Sequence, residues 1–166
     1  MGNVDSACYH NDDCNFLTGY GVKQAQLCGE YLRRRGIVFD HVVSSGLIRA
    51  RHTMSTILQE MDMPVRMWNV EKGLNEIVHS ADRLRVQYTF HNIQQNIWQG
   101  KGTLLIVSHY HTMQEIWEKC LNLKSENVPG GGKVIRNAVP FVWDPEFPDK
   151  LTLIELSDIR YNIRND

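Results

Sequence analysis

The sequence predicts an α/β fold: a three-layer α/β/α sandwich with a mainly parallel sheet. Short apolar segments alternate along the chain with longer segments whose apolar residues recur at helical spacing, a pattern typical of parallel-sheet proteins. One run, Leu104–Val107, is apolar without a break between turn signals, as expected of a strand that is covered on both faces. The 166 residues suit one domain, so we assign residues 1–166 to a single domain.

Each expected element has its own start or stop signal. Thr18 and Gly36 mark the ends of the first helix, and the second is an apolar stripe over 47–61 that ends before Pro64. The third helix has Ser80 as its cap and Gly100 as its end. The buried face of the fourth helix is formed by Met113, Ile116, Trp117 and Cys120. The expected strands are 39–45, 65–70, 104–107, 141–143 and 151–156.

Charge and cysteine usage narrow the class of protein. The net charge is −1, which gives no overall attraction to nucleic acid or to an anionic membrane. The four cysteines form no Cys-x-x-Cys pair, so neither a zinc ribbon nor a secreted disulfide scaffold is expected. The chain has no apolar run long enough to span a membrane and no leader pattern at its start, so we expect a cytoplasmic protein.

Polar residues follow two of the expected strands, where ligands of such sheets bind. Arg49 opens the second helix just after the first strand, and its guanidinium suits phosphate. His109 ends the apolar strand, and Glu76 lies in a loop where a carboxylate can donate or accept a proton. Together they favour phosphoryl chemistry. The alternatives are a surface salt bridge for Arg49, a hydrogen-bonded strand-end histidine and a solvated Glu76.

Five segments resemble, in order and spacing, sequence elements of the histidine phosphatase (phosphoglycerate mutase-like) superfamily. They are 17–25 (Leu-Thr-Gly-Tyr-Gly-Val-Lys-Gln-Ala), 44–53 (Ser-Ser-Gly-Leu-Ile-Arg-Ala-Arg-His-Thr), 74–76 (Leu-Asn-Glu), 104–109 (Leu-Leu-Ile-Val-Ser-His) and 137–140 (Asn-Ala-Val-Pro). Any one of these segments is a weak signal, whereas their shared register identifies the chain as resembling this superfamily.

The resemblance implies a role for each of the three candidate residues. Arg49 would bind the transferred phosphoryl group, His109 would stabilise its developing charge, and Glu76 would be a general acid for the leaving oxygen. No metal and no organic cofactor is implied. Only 32 residues separate Glu76 from His109, which resembles the phosphatase branch rather than the mutases. The implied partner is a phosphoprotein or a phosphorylated small molecule.

The resemblance fails at the start of the chain. The family opens with a strand that ends in Arg-His-Gly, and that histidine is its nucleophile. Here the register places Met1 on the histidine and Gly2, implied to bind phosphate, on the glycine. The family's first strand is therefore missing from these residues, through truncation or genuine loss, unless another histidine such as His10 substitutes.

Two functional readings follow from this departure. The first is a phosphohydrolase that is inactive or impaired as this chain stands. The second is a non-catalytic pseudophosphatase that binds a phosphate-bearing partner, or a scaffold or homodimer in which another strand fills the gap in the sheet.

Two further features surround His109. Tyr110 stands where the family usually has glycine, so its ring would either crowd the phosphate or form a wall of the pocket. His109 and His111 have the spacing of metal ligands on a strand, yet the other histidines show no matching pattern, and we expect no metal.

Overall fold

The computed structural model describes residues 15–64, 68–124, 127–128 and 138–153. The helices in these ranges are α1 (Gly19–Arg34), α2 (Ile48–Glu60), α3 (Asp82–Asn92) and α4 (Tyr110–Glu115). The strands are β1 (His41–Ser45), β2 (Trp68–Glu71), β3 (Leu104–Val107), β4 (Phe141–Trp143) and β5 (Leu151–Leu153).

The main sheet is parallel, as predicted. Its strand order is β2-β1-β3, so β1 is the central strand of the three. Within it, Val43 lies opposite Asn69 of β2 and Ile106 of β3. β4 and β5 pair with each other in antiparallel fashion as a separate ribbon.

Helices cover both faces of this sheet, which confirms the three-layer architecture. Successive side chains of a strand point to opposite faces, and the two valines of β1 show this directly. Val42 belongs to a buried cluster with Leu32 of α1 and Met54 of α2. Val43 belongs to a second cluster, with Phe90 of α3 on the other face. The sheet therefore separates two apolar cores.

α1 begins and ends where its sequence signals predict. The Thr18 hydroxyl accepts a hydrogen bond from the backbone N–H of Gly21 at 3.1 Å, and Gly36 follows the helix with a φ of +65°. α1 packs closely on α2. A Cβ on Gly29 would lie 2.8 Å from the carbonyl oxygen of Ile57, so this approach needs glycine.

The start of α3 differs from the prediction. Ser80 is not its cap, because the helix begins at Asp82. The Asp82 carboxylate accepts the backbone N–H groups of Val78 and His79, each at 2.9 Å. These bonds, led by the one from His79, hold the pKa of Asp82 below its usual value. The aspartate thus organises the turn that precedes α3.

α3 and α4 both continue as π-helical turns, which the helical periodicity did not predict. The turns span Ile93–Trp98 after α3 and Ile116–Cys120 after α4. The first of them stops before Gly100, the predicted end, which has a φ of +69°.

The burial of β3 also differs from the prediction. All four of its residues are only partly buried, whereas four of the five residues of β1 are fully buried. β3 pairs with β1 along one edge, and its other edge borders a cavity described below. β1 is therefore more fully buried than β3.

Several predictions concern residues outside the described ranges. They are the strand residues 65–67 and 154–156, the glycine-rich loop 129–132, and Gly2, His10 and the first two cysteines. Of the two cysteines predicted to be core residues, Cys28 is buried and Cys120 is partly buried. No helix in the described part of the chain is both long and apolar enough to cross a lipid bilayer.

Candidate functional site

A cleft opens where the carboxyl ends of β1 and β3 meet. Because the two strands are parallel, the residues that follow them lie at the same edge of the sheet. Arg49, Glu76 and His109 all line one cavity there, with a volume of about 740 Å³. The structure thus brings together the three side chains that the sequence singled out.

Arg49 is held in the first turn of α2, which follows β1 after a two-residue turn. Its side chain is buried, with 6% of the residue exposed. The positive charge of Arg49 lowers the pKa of His109, which shows that the two groups interact electrostatically. A buried guanidinium beside an imidazole gives this edge of the cleft a local positive character.

His109 is the residue that precedes α4, and it is 8% exposed. Burial, followed by the charges of Arg49 and Arg85, lowers its pKa from 6.5 to about 3. The imidazole is therefore neutral at pH 7. Its Nε2 lies 2.7 Å from the hydroxyl oxygen of Ser45.

The hydroxyl of Ser45 fixes the tautomer of His109. Ser45 donates its only proton to the side-chain oxygen of Asn75 at 3.0 Å. The 2.7 Å contact to His109 must then have Nε2–H as the donor. This leaves Nδ1 of the neutral ring as an acceptor, so the ring is oriented before any ligand binds.

Asn75 joins the loop after β2 to the end of β1. Its side-chain oxygen accepts a second hydrogen bond, at 2.9 Å, from the backbone N–H of Gly46. Its backbone carbonyl accepts from the hydroxyl of Thr112 in α4 at 3.0 Å. The sequence analysis quoted Asn75 only as the middle residue of Leu-Asn-Glu and assigned it no role.

Arg85 of α3 clamps the same loop from the opposite side. Its guanidinium donates to the carbonyl oxygens of Gly73 at 2.6 Å, Asn75 at 3.2 Å and Glu76 at 3.3 Å. These bonds fix the backbone that carries Glu76. No sequence signal singled out Arg85, since its partners are reached only through the packing of α3 against the loop.

Glu76 lies at the rim of the cleft. One of its carboxylate oxygens accepts the backbone N–H of Ile77 at 3.0 Å and lies 3.6 Å from Nδ1 of His111. The side chain of His111 is 59% exposed. His111 therefore faces Glu76 and does not share an ion site with His109. Within the described ranges, no three His, Cys, Asp or Glu side chains cluster closely enough to hold a metal ion.

Tyr110 forms part of the cleft wall, one of its two expected arrangements. It lines the cavity, is 38% exposed, and stacks edge-on against the ring of His111 with centroids 5.0 Å apart. Gly2, the other residue implied to bind phosphate, lies outside the described ranges.

Comparisons with known sequences identify proteins that are similar to parts of this chain. A sequence profile of the histidine phosphatase superfamily (branch 1) matches residues 2–82. The 2,3-bisphosphoglycerate-dependent phosphoglycerate mutase of Beijerinckia indica is 40% identical over 60 residues, which cover 36% of this chain and 29% of that protein. The mitochondrial serine/threonine-protein phosphatase Pgam5 of Drosophila grimshawi is 41% identical over 51 residues, covering 31% and 18%. These matches span less than a third of either relative.

Solved structures show the same fold. The protein histidine phosphatase SixA in complex with tungstate superposes with a TM-score of 0.64 at 16% identity, over 93% of this chain and 90% of that one. A phosphoglycerate mutase from Bacillus anthracis gives 0.63 at 15% identity, over 86% and 83%. The profile and the relatives point to one class, phosphohydrolases and mutases, and the solved structures share the fold. The chain is thus similar to the histidine phosphatase superfamily.

Proposed function

We propose that this chain binds the phosphoryl group of a phosphoprotein or a small phosphate ester in the cleft, as a phosphohydrolase of the histidine phosphatase type. One observation carries the proposal. Two basic side chains, Arg49 and His109, are buried at the ends of neighbouring strands and line the same cavity. Cationic and donor groups placed in this way stabilise the charge of a phosphoryl group.

The three residues would act in sequence on such a ligand. Arg49 binds the phosphoryl oxygens through its planar fork of N–H groups. An anion beside His109 raises the pKa of the imidazole, because the negative charge offsets Arg49 and favours the protonated ring. Where a nucleophile attacks the phosphorus, Glu76, at the rim, would donate a proton to the leaving oxygen as its bond to phosphorus breaks.

The chain between Glu76 and His109 supports hydrolysis rather than phosphoryl transfer between sugar phosphates. Its 32 residues are taken up by the turn before α3, α3, the π-helical turn Ile93–Trp98, the turn before β3 and β3 itself. No helix or strand is left to close over a sugar phosphate in this part of the described chain. The names of Pgam5 and SixA, both protein phosphatases, favour a phosphoprotein among the candidate substrates.

Turnover requires a nucleophile, and the described residues of the cleft offer a poor one. The only histidine among the residues that line the cavity is His109, and its Nε2 is held by Ser45. Loss of a nucleophile costs several orders of magnitude in rate. We therefore propose that these 166 residues bind phosphate esters but hydrolyse them negligibly, a property they would share with a non-catalytic pseudophosphatase.

Anion titration tests the binding site. Tungstate, a phosphoryl mimic, is titrated calorimetrically into the wild-type chain, Arg49→Gln and the control Arg34→Gln, whose arginine makes an exposed ion pair with Glu30. We expect Arg49→Gln to weaken binding about tenfold or more, since a charge-assisted hydrogen bond contributes about 1.5–3 kcal/mol. Equal affinities in folded Arg49→Gln and wild type would refute the site.

Hydrolysis of p-nitrophenyl phosphate tests turnover separately. We expect negligible release of p-nitrophenol by the 166-residue chain. A rate comparable with that of active superfamily members, abolished by His10→Ala, would show that His10 supplies the nucleophile and that the proposed impairment is wrong.

A further inference from the structure

Tyr110 borders the cleft next to the candidate phosphoryl site. It directly follows His109, begins α4 and lines the same cavity as Arg49. Arg49 and His109 are both buried, whereas Tyr110 is exposed. A group that is ester-linked to a phosphoryl bound by the two basic side chains therefore extends outward, towards the rim where Tyr110 lies.

The leaving group lies on the side of the cleft where Glu76 is. Glu76 also lines the cavity, and in the proposed mechanism its carboxyl group protonates the leaving oxygen. Nδ1 of His111 lies 3.6 Å from a carboxylate oxygen of Glu76, and the same imidazole packs against the ring of Tyr110 with centroids 5.0 Å apart. One imidazole thus separates the Glu76 carboxylate from the Tyr110 ring, so the leaving group emerges beside Tyr110.

The Tyr110 ring is oriented before a ligand binds. Its plane and that of the His111 ring are 89° apart, the edge-on arrangement that aromatic rings favour. The start of α4 is also joined to the loop that carries Glu76, because the buried hydroxyl of Thr112 donates to the carbonyl oxygen of Asn75 at 3.0 Å. The aromatic ring and the carboxylate therefore keep their relative positions.

An aromatic side chain at this position favours one kind of ester. In an aryl phosphate the aromatic ring is bonded directly to the leaving oxygen, so it lies close to the phosphoryl group and beside Tyr110. A favourable contact between two aromatic rings strengthens binding about two- to tenfold beyond the effect of the apolar area that they bury. An aliphatic ester has no π-system and gains only from the buried area.

We propose that the cleft prefers aryl phosphate esters, whose leaving group packs against Tyr110, to aliphatic phosphate esters. This preference rests on the phosphoryl site proposed above and adds Tyr110 to it as a specificity-determining residue. The ligand class includes the side chain of phosphotyrosine and small aryl phosphates, because both present the same ring to Tyr110.

Two esters of equal charge and nearly equal size test the preference. Phenyl phosphate and cyclohexyl phosphate are titrated calorimetrically into the 166-residue chain at pH 8, where both are dianions. We expect the wild-type chain to bind phenyl phosphate about two- to tenfold more tightly. Tyr110→Leu keeps an apolar side chain but removes the ring, so the ratio of the two affinities should fall to about one. Tyr110→Phe, which loses only the hydroxyl, should keep the wild-type ratio.

The matched control is Tyr88→Leu. Tyr88 is exposed on α3 and does not line the cavity, so its substitution should leave the ratio unchanged. Tungstate is titrated in parallel, because it mimics the phosphoryl group without a leaving group. If the wild-type chain binds neither tungstate nor the esters, the phosphoryl site itself is wrong. If it binds tungstate and binds both esters equally well, the phosphoryl site stands and the aryl preference is refuted.

NMR locates the bound ring without any substitution. We expect intermolecular NOEs between the protons of bound phenyl phosphate and the ring protons of Tyr110. NOEs to Trp98 and Trp143 in their place would put the phenyl ring at the other end of β3 and overturn the assignment.

A five-residue peptide with a central phosphotyrosine distinguishes the two sources of an aryl phosphate. If the peptide binds more tightly than phenyl phosphate, residues around the phosphotyrosine contact the rim, and a phosphoprotein is the ligand. If it binds more weakly while phenyl phosphate keeps its preference, the ligand is a small aryl phosphate.

Discussion

At the scale of single residues, His109 is the most perturbed group of the candidate site. Its pKa is about 3 in the folded chain and 6.5 when exposed. Below pH 6.5 the unfolded state therefore binds a proton that the folded state does not, so folding is destabilised as the pH falls towards 3. Because the folded protein keeps the His109 imidazole neutral, acid destabilises the fold.

This perturbation gives the first prediction. Between pH 7 and pH 5 the wild-type chain should lose about 2 kcal/mol more unfolding free energy than His109→Gln, which cannot take up the proton. Urea denaturation at the two pH values measures the difference. His79→Gln, at an exposed histidine, serves as control and should follow the wild type. Parallel losses in all three proteins would contradict the assigned pKa.

Arg85 is the second residue whose role is testable. Its charge lowers the pKa of His109, and its guanidinium holds the carbonyl oxygens of the loop that carries Asn75 and Glu76. Arg85→Ala should raise the pKa of His109 and destabilise the fold by about 1–3 kcal/mol through unpaired carbonyl groups. The pKa is read from the imidazole resonances in an NMR pH titration.

The control for Arg85 is Arg33→Ala, which removes an exposed cation from the last turn of α1. It should leave the pKa of His109 unchanged. If the pKa of His109 is the same in Arg85→Ala, in Arg33→Ala and in the wild type, Arg85 is only a structural residue.

The sequence singled out three residues that line the cleft but not the residues that contact them. Arg49 and His109 follow apolar strands, and strand ends have a known place in a parallel sheet. Ser45 and His109, by contrast, are 64 positions apart, and their contact depends on the β1–β3 register. The bonds of Asn75 and Arg85 likewise arise only after the helices pack.

At the scale of elements, the contact between α1 and α2 depends on Gly29. A Cβ there would lie 2.7 Å from Cβ of Glu60 and 2.8 Å from the backbone oxygen of Ile57. Gly29→Ala should therefore destabilise the fold by about 1–3 kcal/mol, since separating the helices costs more than the alanine gains in helix propensity.

Gly19 provides a matched control in the same helix. No atom lies within 4 Å of a Cβ placed on it, so Gly19→Ala should be neutral or stabilise by up to about 1 kcal/mol. Thermal unfolding of both variants makes the comparison. A stable Gly29→Ala would show that the two helices separate without cost.

Element boundaries were predictable where the signal is local. Thr18 and Gly36 mark α1 because a cap and a left-handed residue act within one turn. Ser80 failed as a cap because the chain forms a turn before α3, in which the Asp82 carboxylate accepts the N–H groups of Val78 and His79. An apolar run indicates that a strand favours burial, but it does not indicate which elements pack against the strand in the fold. The burial of β3 was therefore overestimated.

At the scale of the whole molecule, β1 and β3 differ in how many edges are paired. β1 has a neighbour on each side, whereas β3 pairs within the described residues only with β1. Amide exchange should therefore be slow throughout Val42–Ser45 but should alternate along Leu104–Val107, with every second amide exchanging fast. Uniformly slow exchange in β3 would indicate that its second edge is already paired in solution.

The layered architecture could be predicted because it depends only on the spacing of apolar residues and on the order of strands and helices along the chain. Alternating strands and helices predict a parallel sheet between helical layers, and Val42 and Val43 fulfil this by facing different cores. The separation of β4 from β3 does not follow in this way. It depends on what lies between the strands, which no single segment encodes.

Cys28 gives this architecture a built-in reporter. The residue is 3% exposed on the wall beside β3, and burial raises the pKa of its thiol to about 12. Almost no thiolate exists at neutral pH, so iodoacetamide should modify Cys28 only when α1 lifts away from the sheet. Its alkylation rate, followed by peptide-resolved mass spectrometry, would thus measure how often α1 separates from the sheet.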